Sequence, residues 1–160
     1  MIIVSNSTPL IGFASIQRFD LLKRLFGELY IPQAVYDEVV VAGGDACGVH
    51  EVRNATWIKT IGVKDRLAAE VLLDELDLGE AEAIVLAREI SADWVLMDER
   101  KGRRKLKQLG LRKIGTIGLL LKAKQEGLLP IIRPDIERLD QKGFSLSQFV
   151  INAVLQKANE

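Results

Sequence analysis

Asp98 and Glu99 stand directly after an unbroken apolar run, Trp94-Val95-Leu96-Met97. A carboxylate in such a place is partly desolvated and close to its neighbour, so the pair would take up a proton or a cation readily. A helix cap is the simpler role, because Asp98 opens a helical stretch, and the two roles are compatible. Glu80 lies in Leu78-Gly79-Glu80-Ala81-Glu82-Ala83-Ile84, in the first turn of a patterned helix, where negative charge offsets the helix dipole. From that turn it would also project into a cleft shared with Asp98, since Gly79, Ala81 and Ala83 let the helix pack closely on a sheet. Glu38 lies beside the apolar stripe of Val35, Val39 and Val40, a setting that equally suits a solvent-facing residue. Asn6, in Asn6-Ser7-Thr8, is a candidate helix cap or a neutral oxygen donor to a hard cation. Asp74, Glu75 and Asp77 precede Gly79 as a solvated helix end and loop.

A second constellation is basic. Between Arg100 and Lys113 there are eight Lys and Arg residues and no acid, beginning beside Asp98 and Glu99. Arg100, Lys101, Arg103, Arg104, Lys105 and Lys107 form its dense part, with Arg112 and Lys113 beyond. A phosphate backbone drawn to this run would lie against the acidic cleft, although a merely solvated helix face has the same composition. Gly115-Thr116-Ile117-Gly118 opens a helix whose backbone N–H groups suit an anion, but it lacks the lysine and spacing of a P-loop. Its glycines fit close packing.

The elements that must position these residues alternate. Short apolar strands are expected at Ile2–Ser5, Leu29–Ile31, Trp57–Ile61, Trp94–Met97 and Arg112–Ile114. Helices are expected from Thr8-Pro9, with proline at the first position, over Gln17–Phe26, from Pro32, and over Leu67–Leu76. Others follow over Gly79–Ile90, Gly102–Leu109, Thr116–Glu126, Arg133–Gln141 and Leu146–Lys157. Such alternation implies βαβ units and a mainly parallel sheet of four to five strands between two helical layers, an α/β protein. Sites in open sheets of this kind form beyond the carboxyl ends of the strands, which places Asn6 and Asp98 in one cleft.

Composition narrows the classes. With 160 residues the chain is expected to form one domain over 1–160, with 128–160 as a helical C-terminal extension. Its 22 basic and 22 acidic residues cancel, so only a local patch can favour nucleic acid. Cys47 is the sole cysteine and His50 the sole histidine, which excludes an internal disulfide and Cys/His zinc spacings. No apolar run has the length of a membrane helix and the amino terminus shows no signal-peptide pattern, so the expectation is a cytoplasmic protein. No G-x-G-x-x-G follows the first strand, against a dinucleotide fold, and Trp57–Ile61 ends without the acceptor Asp of a phospho-receiver.

Taken in order, Ile2-Ile3-Val4-Ser5-Asn6-Ser7-Thr8-Pro9-Leu10-Ile11, Ile31–Val39, Leu76–Ile84 and Val95–Arg104 resemble PIN domains, small Mg²⁺- or Mn²⁺-dependent nucleases. The likeness covers about residues 1–125 and is nearest to a prokaryotic subfamily related to VapC-type toxins. It implies a metal site at Asn6, Glu38, Glu80 and Asp98, with Glu99 at an adjacent acidic position. It implies cleavage of RNA phosphodiesters, a possible small antitoxin protein as partner, and a homodimer. The family usually has Asp where this chain has Asn6, which removes one negative charge. That departure motivates an alternative: a PIN-fold module that binds RNA or a partner protein without cleavage.

Overall fold

The apolar runs become strands because period-2 side chains can be buried on both faces of a sheet. In the computed structural model, which describes residues 1–160, they are β1 (Ile3–Ser5), β2 (Leu29–Pro32), β3 (Ile58–Ile61), β4 (Trp94–Leu96) and β5 (Lys113–Ile114). All pair in parallel, in the order β3-β2-β1-β4-β5. Val4 aligns with Tyr30 on one side and Val95 on the other, so β1 lies at the point where the strand order reverses.

Alternate residues enter different layers. Ile3, Leu29, Ile31 and Leu96 join a core with Leu10, Phe13, Leu22, Val35, Leu119 and Ile136. Val4, Val95 and Met97 join the other with Ile84, Leu86 and Leu106. The first layer thus holds α1 (Ser7–Ser15), α2 (Asp20–Phe26), α3 (Gln33–Tyr36), α4 (Val49–Asn54), α8 (Thr116–Gln125), α9 (Arg133–Gln141) and α10 (Gln148–Lys157). The opposite face carries α6 (Leu78–Glu89) and α7 (Arg100–Gln108), with α5 (Arg66–Leu72) packed on α6. This is a three-layer α/β/α fold.

Local details differ from the expected elements. Pro9 is the third helical residue of α1, because the helix begins at Ser7. α2 starts only at Asp20, since Gln17 adopts a left-handed φ of 60° that breaks the helix. α3 ends early and continues as a π-helical turn, Asp37–Val41, which carries Glu38. Such wide turns recur at functional sites because they re-aim a side chain within a helix. Val35, Val39 and Val40 are buried as expected.

Candidate active site

The site begins at the carboxyl end of β1. Asn6 is 3% exposed, and its backbone N–H still pairs with the Leu96 carbonyl at 3.0 Å. It occupies the N-cap position of α1 but makes no side-chain cap, contrary to the cap expected of Asn6. Its Nδ2 instead donates to Glu99 Oε2 at 3.0 Å and to Met97 Sδ at 3.4 Å. Both are acceptors, which fixes which end of the amide faces them. Oδ1 is buried and has no hydrogen-bond partner, a condition rare enough in folded proteins to require an explanation.

Oδ1 points toward Gly79. A Cβ at Gly79 would lie 3.4 Å from Asn6 Oδ1, 3.0 Å from Glu38 Oε2 and 3.6 Å from Asp77 Oδ1. Three oxygens therefore converge on the bare backbone of Gly79, where a Cβ would press on the end of the Glu38 side chain. Glu38 is exposed, and Oε2 accepts from the Ser7 hydroxyl at 2.8 Å. Glu80 is buried in the first turn of α6, where a capping box holds it. Glu80 N donates to Asp77 Oδ1 at 2.8 Å, and Asp77 N donates to Glu80 Oε2 at 3.0 Å. Asp77 is thus the N-cap of α6 rather than a loop residue, and the pattern of an acid three residues before Glu80 was the sequence sign of it.

Asp98 is turned differently. It does not cap its own helix; Glu99 occupies that N-cap position. Asp98 Oδ1 accepts from Thr116 N at 2.8 Å and Oδ2 from Thr116 Oγ1 at 2.7 Å, which caps α8 from a neighbouring strand. The anion suited to that helix start is therefore supplied by the chain itself. Gly115 is required beside it, since a Cβ there would stand 2.8 Å from Asp98 Oδ1. Glu99 also has both oxygens engaged, by Asn6 and by the Thr8 hydroxyl. Burial pushes the Glu80 carboxyl above its ordinary range; the Asp77 N–H opposes this, and the charges of Asp77, Glu99 and Glu38 add to it. Burial likewise raises Asp98, against the Thr116 donors and Arg103, with Glu99 adding.

The fold brings Asn6 and Glu38 together over Gly79 with Asp77 as the third oxygen, sets Glu80 near enough to feel the charges of Glu38 and Glu99, and joins Glu99 to Asn6, while Asp98 lies toward α8. Ser7, Thr8 and Thr116 are hydroxyl partners that sequence reasoning missed; their sign was the hydroxyl-rich stretch after β1 and the start of α8. Glu82 belongs elsewhere: it accepts from Ala34 N at 3.0 Å and Arg66 at 2.8 Å, fastening α6 to the start of α3. The basic run forms α7. Arg100, Lys101, Arg104 and Lys107 are exposed along it. Arg103 turns inward and donates to the Met97 carbonyl at 2.9 Å, and Lys105 pairs with Glu75 at 3.6 Å. A groove of about 630 Å³ between α5 and α6, lined by Leu67, Val71, Leu72 and Ile84, holds none of the candidate residues.

Five parallel strands lie between two helical layers, and a polar cluster gathers at their carboxyl ends, Asn6 past β1 and Asp98 and Glu99 past β4, which is the layout of an α/β fold with its site at the strand ends. The chain belongs to the PIN-domain family, which matches residues 2–160 and so takes in α9 and α10 beyond the stretch that carried the resemblance. No curated protein matches it. PIN domains generally use divalent metal ions. No three acidic side chains close into a ready-made cation cage. Mg²⁺, however, keeps several waters and takes only one or two carboxylates directly. The oxygen-only donors and the unpartnered Asn6 Oδ1 fit such an ion.

Proposed function

We propose that this PIN domain is a Mg²⁺- or Mn²⁺-dependent endoribonuclease. The observation that carries the reading is the buried Asn6 Oδ1, which lacks a partner and meets Glu38 over the bare backbone of Gly79, with Glu80 beside them. Glu38, Glu80 and Asp98 would hold the ion, directly or through water, together with Asn6 Oδ1. A divalent ion bound there supplies electrostatic stabilisation to the phosphodiester and to the leaving oxygen. The protein's own groups do the rest. The exposed cations of α7 draw the RNA backbone toward the strand ends. Arg103, held at one nitrogen by the Met97 carbonyl and close enough to Asp98 to oppose the rise in its pKa, would offer further N–H groups to a phosphate bound there. Thr116 holds the Asp98 carboxylate in one orientation.

Incubating the protein with single-stranded RNA and Mn²⁺ or Mg²⁺ tests this. Cleavage is expected, abolished by chelation and lost in Asp98→Ala. Because Asp98 also caps α8, circular dichroism of the variant must first match wild type. No cleavage by wild type, or cleavage indifferent to Asp98→Ala, contradicts the reading. A role as the toxin of a toxin–antitoxin pair would add homodimerisation and a small inhibitory partner; co-expression with the product of the adjacent reading frame tests it. Asn6 favours a second reading, a module that binds RNA or a partner protein without cleavage. That reading requires Asn6→Asp to create or greatly increase cleavage.

A further inference from the structure

We infer that Asn6 and Glu99 act as one unit, in which Glu99 carries the negative charge that Asn6 lacks and orients the amide so that Oδ1 faces the cleft. The inference rests on the metal-site reading above and deepens it. Glu99 Oε2 accepts from Asn6 Nδ2 at 3.0 Å, and Oε1 accepts from Thr8 Oγ1. With both oxygens bound, Glu99 has a fixed rotamer. Only the donor end of the Asn6 amide can face a carboxylate, and Met97 Sδ on the same side is also an acceptor. The acceptor end must then point away from Glu99, into the space beside Gly79 and Glu38. There Oδ1 is buried and unpartnered, on a residue that is 3% exposed as a whole. Glu99 is accordingly a positioning residue, and Asn6 is the group it positions.

The unit has the same formal charge as an aspartate beside a neutral amide, one negative charge in either arrangement. An aspartate introduced alone at position 6 would instead set two carboxylates in contact where an amide–carboxylate hydrogen bond now stands. Exchanging both groups restores one donor, one carboxylate and the same charge. This separates the inference from simple loss of function, in which an acid at position 6 is gain alone.

The experiment is a double-mutant cycle on the full chain: wild type, Asn6→Asp, Glu99→Gln and Asn6→Asp/Glu99→Gln. Each is melted in EDTA, and each is titrated with MnCl₂ by calorimetry. In EDTA, Asn6→Asp melts lower than wild type, and the double variant recovers most of that loss. Glu99→Gln keeps the hydrogen bond but weakens Mn²⁺ affinity roughly 10- to 100-fold, as loss of an outer-shell partner does. The double variant returns toward wild-type affinity. Additive melting temperatures, with Asn6→Asp as stable as wild type, overturn the pairing. If Asn6→Asp does not fold while the double variant does, the pairing is supported. If neither folds, Glu99→Gln decides, and wild-type Mn²⁺ affinity there overturns it. No Mn²⁺ binding by any chain overturns the metal-site reading instead, and the EDTA melts still decide whether the two residues are coupled.

Discussion

Gly79 shows how a single missing atom shapes the site. Its hydrogen leaves room for Glu38 Oε2 and Asn6 Oδ1 to approach one backbone position. Alanine suits a helix better than glycine by up to ~1 kcal/mol, and the nearest clash is with the end of an exposed, flexible glutamate. Gly79→Ala is therefore expected to melt at or above the wild-type temperature while losing at least ~10-fold in Mn²⁺ affinity, judged by the effect of displaced metal-site groups. Calorimetric titration alongside thermal melts checks both halves; unchanged affinity would mean that the space above Gly79 is not part of the site. Much of this was legible in sequence. Asn6, Asp98 and Glu99 follow apolar strands and Glu80 opens a helix, so their placement is legible; Glu38 sits inside a helical stretch and is singled out only by the family resemblance. Their partners are not legible. Asn6 and Glu99 are 93 residues apart, and their bond exists only because β1 and β4 are neighbours.

At the scale of elements, carboxylates repeatedly cap helices to which they do not belong. Asp98 caps α8, Glu82 serves the start of α3, and Glu89 accepts from Lys64 N and Asp65 N ahead of α5. Periodicity located the strands and most helices because burial alternates with period 2 or 3.6. It missed the π-helical turn at Asp37–Val41 and the break at Gln17, since both are backbone adjustments with no separate hydrophobic pattern. The basic helix α7 divides into an exposed set and an inward set. Replacing Arg100, Lys101, Arg104 and Lys107 with glutamine removes the exposed set while leaving Arg103 and Lys105 in their contacts. If all those side chains meet phosphates, the slope of log affinity against log salt for single-stranded RNA becomes shallower by roughly 3. Fluorescence anisotropy at several salt concentrations measures it, and an unchanged slope would move the RNA path off α7.

Across the whole molecule, α9 and α10 extend the larger core: Ile132, Ile136, Leu139, Leu155 and Ala158 are all buried in it. Glu160 clamps this region. Its carboxylate accepts from Ile132 N, Arg133 N and Lys124 Nζ, at distances between 2.8 and 3.2 Å. Burial alone would raise its pKa, but the Lys124 ammonium and the two backbone donors outweigh burial and lower it. The folded state thus favours the ionised form. The stabilisation is present above the ordinary carboxylate range and disappears as pH falls through the lowered folded value. Glu160→Gln is expected to cost about 1–2 kcal/mol at pH 7, a charge-assisted hydrogen bond discounted for screening. That is roughly 2–8 °C in melting temperature. The gap closes in acid, and melts of both proteins across pH reveal it; a gap independent of pH would assign the loss to packing.

The proposed role of the oxygens gathered about Gly79 is to support metal-dependent cleavage of RNA. Glu38 tests it most cleanly, because its carboxylate is exposed and has only Ser7 as a partner, so Glu38→Gln removes charge with little structural consequence. The measurement is the rate of single-stranded RNA cleavage in Mn²⁺ by wild type and Glu38→Gln, at matched thermal stability. Wild type is expected to show chelator-sensitive cleavage and the variant a rate at least ~10-fold lower, in line with loss of a metal-site group. Equal rates for the two proteins would contradict that role.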